Sequence, residues 1–249
     1  MSFAIKRFPL SRMVASLLHQ HHSHLRPIPA TIHTNSQLNS FKSWYQSKWM
    51  PRKLEPPYTH IVQVGDPVLR QKSVPVPLDA IKSKELNFFI DQLIRVMSDY
   101  QVAGIAAPQV GLDLQIIILE FSDQLKREFS PEIYKVREME TLPLTVLINP
   151  EMKVTDYSKR TYDEACASVC GYKGEVTRYA GVTLTGLNRN GEKQELHLKG
   201  WNARIAQHEM DHLNGIMYTD IMNRRTFSCT CWHTVNLKQG DVRMAFGPK

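Results

Sequence analysis

Gln207-His208-Glu209-Met210-Asp211-His212-Leu213-Asn214-Gly215 is the stretch on which the reading of this chain turns. On an α-helix, residues four apart lie on one face, so His208 and His212 stack closely enough for both imidazoles to reach one ion. Glu209 stands beside that ion, where a carboxylate can take a proton from an attacking water without being a ligand. Upstream, Trp201, Ile205, His208 and His212 follow an i, i+4, i+7, i+11 spacing that turns one stripe inward, and Gly215 is placed to end the helix. Buried histidines need partners, and metal-assisted hydrolysis is the chemistry this wiring serves. The bland alternative is a chance pair of histidines on a solvated helix.

A catalytic site of the zinc type takes three protein ligands and keeps a fourth position open. The long metzincin pattern would place a third histidine at position 218, but the chain has Tyr218; a gluzincin would use a downstream glutamate, but no Glu follows Glu209. Upstream, Glu164-Ala165-Cys166-Ala167-Ser168 offers a cysteine. A thiolate suits zinc or iron when paired with two imidazoles, so Cys166 is the expected third ligand.

A further segment, Val102-Ala103-Gly104-Ile105-Ala106-Ala107-Pro108-Gln109, precedes these two, and the three in this order resemble the signature motifs of the peptide deformylases: G-x-G-x-A-A-P-Q, E-G-C-L-S and Q-H-E-x-D-H. The resemblance covers roughly Tyr58 to Arg225. Its third motif matches in full, whereas Val102 and Ala165 stand in place of glycines and Ala167 in place of leucine. The resemblance implies one divalent ion, Fe2+ or Zn2+, held by Cys166, His208 and His212, with Glu209 as the general base that passes its proton to the leaving amine. It also implies that Gln109, through its side-chain amide, and Ala167, through its backbone N–H, meet the charge that develops on the formyl oxygen. The substrate implied is the N-formylmethionyl end of nascent polypeptides, with formate and a free amino terminus as products.

Small residues at Gly104, Ala106 and Ala107 allow an extended peptide to pair with this segment as an added strand, with Ala103 and Gly104 as the expected substrate-binding positions. The methionine pocket implied by the family has Trp201 and Ile205 as candidate walls, although such residues are more often plain core. Arg204 would share a face with His208, and its charge must reach solvent, a carboxylate or the substrate; it is expected to line the outer cleft. Two rival functions stay open: a catalytically idle deformylase-like paralogue that binds nascent chains, kept alive by Val102, Ala165 and Ala167, and a general metallopeptidase, disfavoured by Tyr218.

The four cysteines, Cys166, Cys170, Cys229 and Cys231, are too few for a disulfide framework and point to a reducing interior. A structural zinc on all four thiols would need their C-x3-C and C-x-C spacings, which fit no common zinc knuckle. Charge is distributed unevenly. Residues 1–54 contain no Asp or Glu, against eight Lys or Arg, eight Ser and five of the ten His. The remaining chain carries a net charge of minus one, so it has no nucleic-acid footprint. The acid-free start, with Ile5, Phe8, Met13, Leu17 and Leu18 among Lys6, Arg7 and Arg12, reads as an organelle transit leader, expected to be disordered and to direct the chain to the mitochondrial matrix. Its longest apolar run, Met13 to Leu18, is too short for a secretory signal, and no stretch of the chain approaches a membrane span.

Residues 55–249 are long enough for one domain, with a short tail after about 226. Leu86, Phe89, Ile90, Leu93, Ile94 and Met97 recur at helical spacing from about Ser83 to Tyr100 and lead into the Gly104 loop. Leu114 to Leu119 and Thr145 to Ile148 read as buried strands, and Val182-Leu184 faces Leu196-Leu198 across an Asn190-Gly191 turn. Ser122 to Leu142, with five acids and four bases, reads as a solvated insertion that could touch a ribosomal partner transiently. The expected fold is therefore α+β, with mixed or antiparallel strands packed around a central metal-binding helix, in a monomer or weak dimer.

Overall fold

Ser83 opens the first helix, α1 (Lys84–Asp99), by accepting the Leu86 amide proton at 3.1 Å, which satisfies one of the donors that a helix start leaves unpaired. In the computed structural model, which describes residues 55–127 and 129–248, this helix buries Leu86, Phe89, Ile90, Leu93, Val96 and Met97. The expected stripe is the observed one, with Val96 added and Ile94 at its margin. The expected leader lies outside the described residues.

Five strands follow in a single antiparallel sheet: β1 (Gly104–Ala106), β2 (Ile116–Phe121), β3 (Leu142–Ala165), β4 (Tyr172–Leu187) and β5 (Lys193–Lys199), ordered β1-β2-β3-β4-β5. A short strand, β6 (Ser228–Cys229), pairs with the beginning of β4. The hairpin between β4 and β5 has the register read from the sequence, with Val182 opposite Leu198 and Leu184 opposite Leu196, and Gly191 in its turn takes the left-handed φ of 77°.

A helix on each face explains why β2 is a continuous apolar run rather than an alternating one. Ile116 and Ile118 face α1 together with Ile148. Ile117, Leu119 and Leu147 face the other way, onto α4 (Gly200–Leu213), which contributes Ala203, Ile205, Ala206, Met210 and Leu213. The helix bearing His208 and His212 is thus clamped along its length by the sheet, and its imidazoles inherit that rigidity.

The insertion between β2 and β3 differs from the solvated run expected of it. It forms two short helices, α2 (Asp123–Lys126) and α3 (Pro131–Val136), and buries Met139. Phe129 meets Trp201 edge-on at 6.0 Å, and Leu125, Phe129 and Tyr134 pack on the core beneath α4. Charge counting concealed this because a few large apolar groups supply the anchoring area, and two of the bases, Lys126 and Arg137, lie over the Tyr134 and Trp201 rings. Beyond Ile216 the chain continues through α5 (Tyr218–Ile221), β6 and α6 (Trp232–Leu237). Its last described residues return to α1, where the Tyr100 hydroxyl donates to the Phe246 carbonyl at 2.9 Å. Among the described residues no helix is long and apolar enough to cross a membrane.

Leu93 is wholly buried between α1 and the sheet. Leu93→Ala is expected to lower the unfolding free energy by about 2–5 kcal/mol in urea denaturation; a loss below about 1 kcal/mol would mean that α1 is not packed on this face.

Candidate metal centre and cleft

Three backbone elements deliver the site. β3 ends at Ala165 and leaves Cys166 at the head of the loop to β4; α4 brings His208, Glu209 and His212; and the 3-10 turn Ala107–Val110 after β1 brings Gln109. One ligand atom from each of Cys166, His208 and His212 lies within 4.8 Å of the others. Cys166 Sγ is 3.3 Å from His212 Nε2, close to the separation of about 3.6 Å that tetrahedral zinc bonding sets between a sulfur and a nitrogen ligand.

The donor chemistry fits a cation. Burial alone would raise the Cys166 thiol, but the His212 and His208 imidazoles beside it hold it well below the ordinary thiol range. Burial would likewise lower His208, yet its hydrogen bonds to Cys166 and Glu164 hold it well above the usual imidazole value. A thiol favoured toward its anionic form in a buried place, beside two imidazoles, is the donor set a divalent ion satisfies.

Glu164 is the anchor of the arrangement. Its carboxylate, 6% exposed, accepts from Arg178 Nε and Nη2, both at 3.0 Å, and from Arg204 Nη1 at 2.6 Å. It also lies 3.1 Å from His208 Nδ1. Desolvation pushes this carboxyl upward, but the bonds from His208 and Arg178 outweigh it and hold Glu164 well below the usual carboxylate range. With Nδ1 engaged by a fixed anion, His208 presents Nε2 toward Cys166, the tautomer a metal-binding imidazole needs. Arg178 also pairs with Asp211 on α4, so one guanidinium ties β3, β4 and the helix together.

Glu209 is 4% exposed and reaches the same centre from the β1 side. Burial pushes its carboxyl up to about 7, although His208 and His212 pull the other way. Its Oε2 has no hydrogen-bond partner among the described residues. Gly104 makes room for it: a Cβ there would stand 2.7 Å from Glu209 Oε1 and 2.8 Å from its Cγ, so only glycine fits. Close approach at Gly104 thus serves the carboxylate, in addition to any guest peptide. Gln109 is fixed through Oε1, which accepts from the Ala106 N–H at 2.9 Å, and this turns Nε2 toward Cys166 Sγ at 3.7 Å and Ser168 Oγ at 3.3 Å. The loop is braced from outside by Gln63, whose Nε2 donates to the Ala167 carbonyl at 2.9 Å and whose Oε1 accepts from the Cys170 N–H at 3.2 Å.

A cleft of about 410 Å³ opens onto this centre, lined by Ala103, Gly104, Gln109, Cys166, Ala167, Trp201, Ile205, His208 and Glu209. Every expected site residue except the buried ligand His212 borders it. Phe121, Leu125 and Phe129 complete its apolar wall and were not anticipated. Arg204 corrects its expected role: it borders the cleft, but at 3% exposure its guanidinium is spent on Glu164, the Val176 carbonyl at 2.9 Å and the Arg160 carbonyl at 2.6 Å. A buried cation beside a buried carboxylate has no freedom to reach into solvent.

A sequence profile for polypeptide deformylase matches residues 58–228. The chain belongs to the polypeptide deformylase family. It is 42% identical over 182 residues to the mitochondrial peptide deformylase of Homo sapiens, covering 73% of this chain and 75% of that one. It is 36% identical over 221 residues to peptide deformylase 1A, chloroplastic/mitochondrial, of Arabidopsis thaliana, covering 89% and 80%. Among solved structures it is similar to a Met-Ala-Ser-bound class I type b peptide deformylase from Acinetobacter baumannii, with a TM-score of 0.57 and 29% identity, covering 65% of this chain and 96% of that one.

In this deformylase the orientation of His208 depends on Glu164, an interaction made outside the metal's own donor set. Glu164→Gln is expected to weaken metal affinity by about 10–100-fold in competition with a chromogenic chelator. Undiminished affinity would show that the carboxylate does not set the imidazole.

Proposed function

We infer that the chain hydrolyses the formyl amide at the N-terminal formylmethionine of newly made polypeptides and releases formate. The observation that carries this reading is the convergence of Cys166, His208 and His212 beside a buried, high-pKa Glu209 in an apolar cleft, within a chain of the deformylase family. Cys166, His208 and His212 would hold one divalent ion, Fe2+ or Zn2+. When bound, that ion supplies Lewis-acid polarisation of the formyl carbonyl and acidifies water. A sulfur and two imidazoles favour Zn2+ by intrinsic affinity, so iron would be selected by availability.

The protein's own groups perform the remaining work. Glu209 takes a proton from the attacking water and returns it to the amide nitrogen as the carbon–nitrogen bond breaks. A carboxyl pushed up to about 7 is matched to both halves of that exchange, because it is neither too weak a base nor too weak an acid near neutrality. Gln109 Nε2, whose amide is held by the Ala106 contact, and the Ala167 N–H would donate to the formyl oxygen as it gains charge; both residues line the cleft. The peptide main chain would pair along Ala103 and Gly104 at the open edge of the sheet, and the methionine side chain would enter the space between Trp201, Ile205 and Phe129.

The acid-free leader, together with relatives named as mitochondrial or chloroplastic, supports import into an organelle, and we assign the mitochondrial matrix on the amphipathic pattern of residues 1–18. Residues 55–249 then form the working domain.

Formate release from formyl-Met-Ala-Ser tests the chemistry. Glu209→Ala is expected to lose about 10²–10⁴-fold in kcat while keeping its metal; equal turnover would remove Glu209 from the reaction. Because Glu209 must be ionised to act as base, kcat/KM of the wild type should climb with pH through a limb centred at about 7. A flat profile between about pH 5 and 8 would contradict that assignment.

A further inference from the structure

One cation on the cleft wall has no task in the centre just described. Outside that centre, the charged side chains bordering the cleft are Arg137, Asp163, Glu164 and Arg204. Asp163 pairs with Lys173 at 2.8 Å, and Glu164 and Arg204 pair with each other. Among the described residues Arg137 makes no ion pair and no side-chain hydrogen bond; its guanidinium lies over two rings, 5.1 Å from the centroid of Tyr162 and 5.1 Å from that of Trp201. A guanidinium stacked in this way uses its flat face, and its N–H groups, which point outward in the plane, still need acceptors. The buried Trp201 indole N–H also lacks one.

Close approach between the insertion and the start of α4 holds Arg137 in this place. Its N–H closes α3 by donating to the Ile133 carbonyl at 2.9 Å, and the Tyr162 hydroxyl donates to the neighbouring Val136 carbonyl at 3.1 Å. Gly200 has a left-handed φ of 53°, and a Cβ there would stand 2.6 Å from the Glu138 carbonyl oxygen and 2.9 Å from that of Arg137, so only glycine lets the two segments meet. Trp201 precedes His208 by two helical turns, about 10 Å along the axis. A formyl-methionine with its formyl group beside His208 and its side chain between Trp201, Ile205 and Phe129 spans a comparable length. The tip of that side chain then comes up against Arg137.

We propose that Arg137 lets the methionine pocket admit an N-terminal formyl-methionine sulfoxide as well as formyl-methionine, by donating to the sulfoxide oxygen. The inference rests on the reaction proposed above, in which the formylated residue is always methionine and only the oxidation state of its sulfur can vary at the tip. A thioether accepts hydrogen bonds weakly, whereas oxidation turns the same side chain polar. Against a wall of Phe121, Leu125, Phe129 and Ile205 alone the sulfoxide oxygen would be buried unpaired, which disfavours it by about 10–100-fold. The free N–H groups of Arg137 remove that penalty. The chemistry at the formyl carbon is unchanged: water adds, formate leaves and the methionine sulfoxide amino terminus is freed, with no change in oxidation state.

The test compares kcat/KM for formyl-Met-Ala-Ser, each epimer of its sulfoxide and formyl-norleucine-Ala-Ser, in wild type and Arg137→Leu. Wild type should use the better epimer within about tenfold of the thioether. The variant should lower that ratio by about a further 10–100-fold and leave the norleucine-to-methionine ratio where it was, because norleucine carries no acceptor. Wild-type discrimination beyond about tenfold, a sulfoxide ratio unmoved by the substitution, or an equal loss on norleucine, which marks a change of pocket shape, would each overturn the proposal. Product peptides give the comparison without turnover: Met(O)-Ala-Ser should bind wild type within about tenfold of Met-Ala-Ser in calorimetry, and a wider gap overturns the inference. A chain that keeps this binding ratio but hydrolyses neither formyl peptide supports the role of Arg137 and removes the proposed reaction. If Arg137→Leu fails to fold, Arg137→Met supplies the same donor-free wall and is read by the same ratios.

Discussion

A single buried carboxylate organises this molecule. Glu164 sits where β3 runs out, and it is satisfied by two guanidiniums and an imidazole contributed by β4 and α4. Placing so many charges out of water is costly unless each finds a partner with good geometry, and here each does. The result is directional: removing any one member leaves the others buried and uncompensated, so the strand that presents Cys166 and the helix that presents His208 cannot drift apart independently. Orientation of the His208 imidazole and the seating of α4 on the sheet are consequences of that one knot.

Much of this was legible in the residues themselves. The four-residue spacing of His208 and His212, the stripe from Leu86 to Met97 and the Val182–Leu198 hairpin are local patterns, and local patterns survive folding because they are set by backbone periodicity. The task of Glu164 is not legible from its motif, since its partners lie 14, 40 and 44 positions later in the chain. Arg178 did leave a trace: it occupies the inward register of β4, between Val176 and Ala180, where an alternating strand should carry an apolar group. A charge in such a slot signals an interior partner. No comparable trace marks Gln63, an ordinary polar residue whose importance arises only once the loop it braces has folded against it.

The insertion after β2 teaches a similar lesson from the opposite direction. Its charge content suggested solvent on all sides, yet Phe129 and Leu125 convert it into one wall of the cleft. Composition averages over faces, whereas packing selects one face. Arg204 shows the same blindness for a single side chain, because a long cation on a helix can run inward as readily as outward when a carboxylate waits there.

The brevity of β1 has a consequence for what else this protein can touch. Its outer rim offers only Gly104–Ala106 before Pro108 removes a backbone donor and the chain coils away. So small an unpaired margin offers another folded sheet little ladder to extend at this edge, while the opposite edge, β5, runs for seven residues.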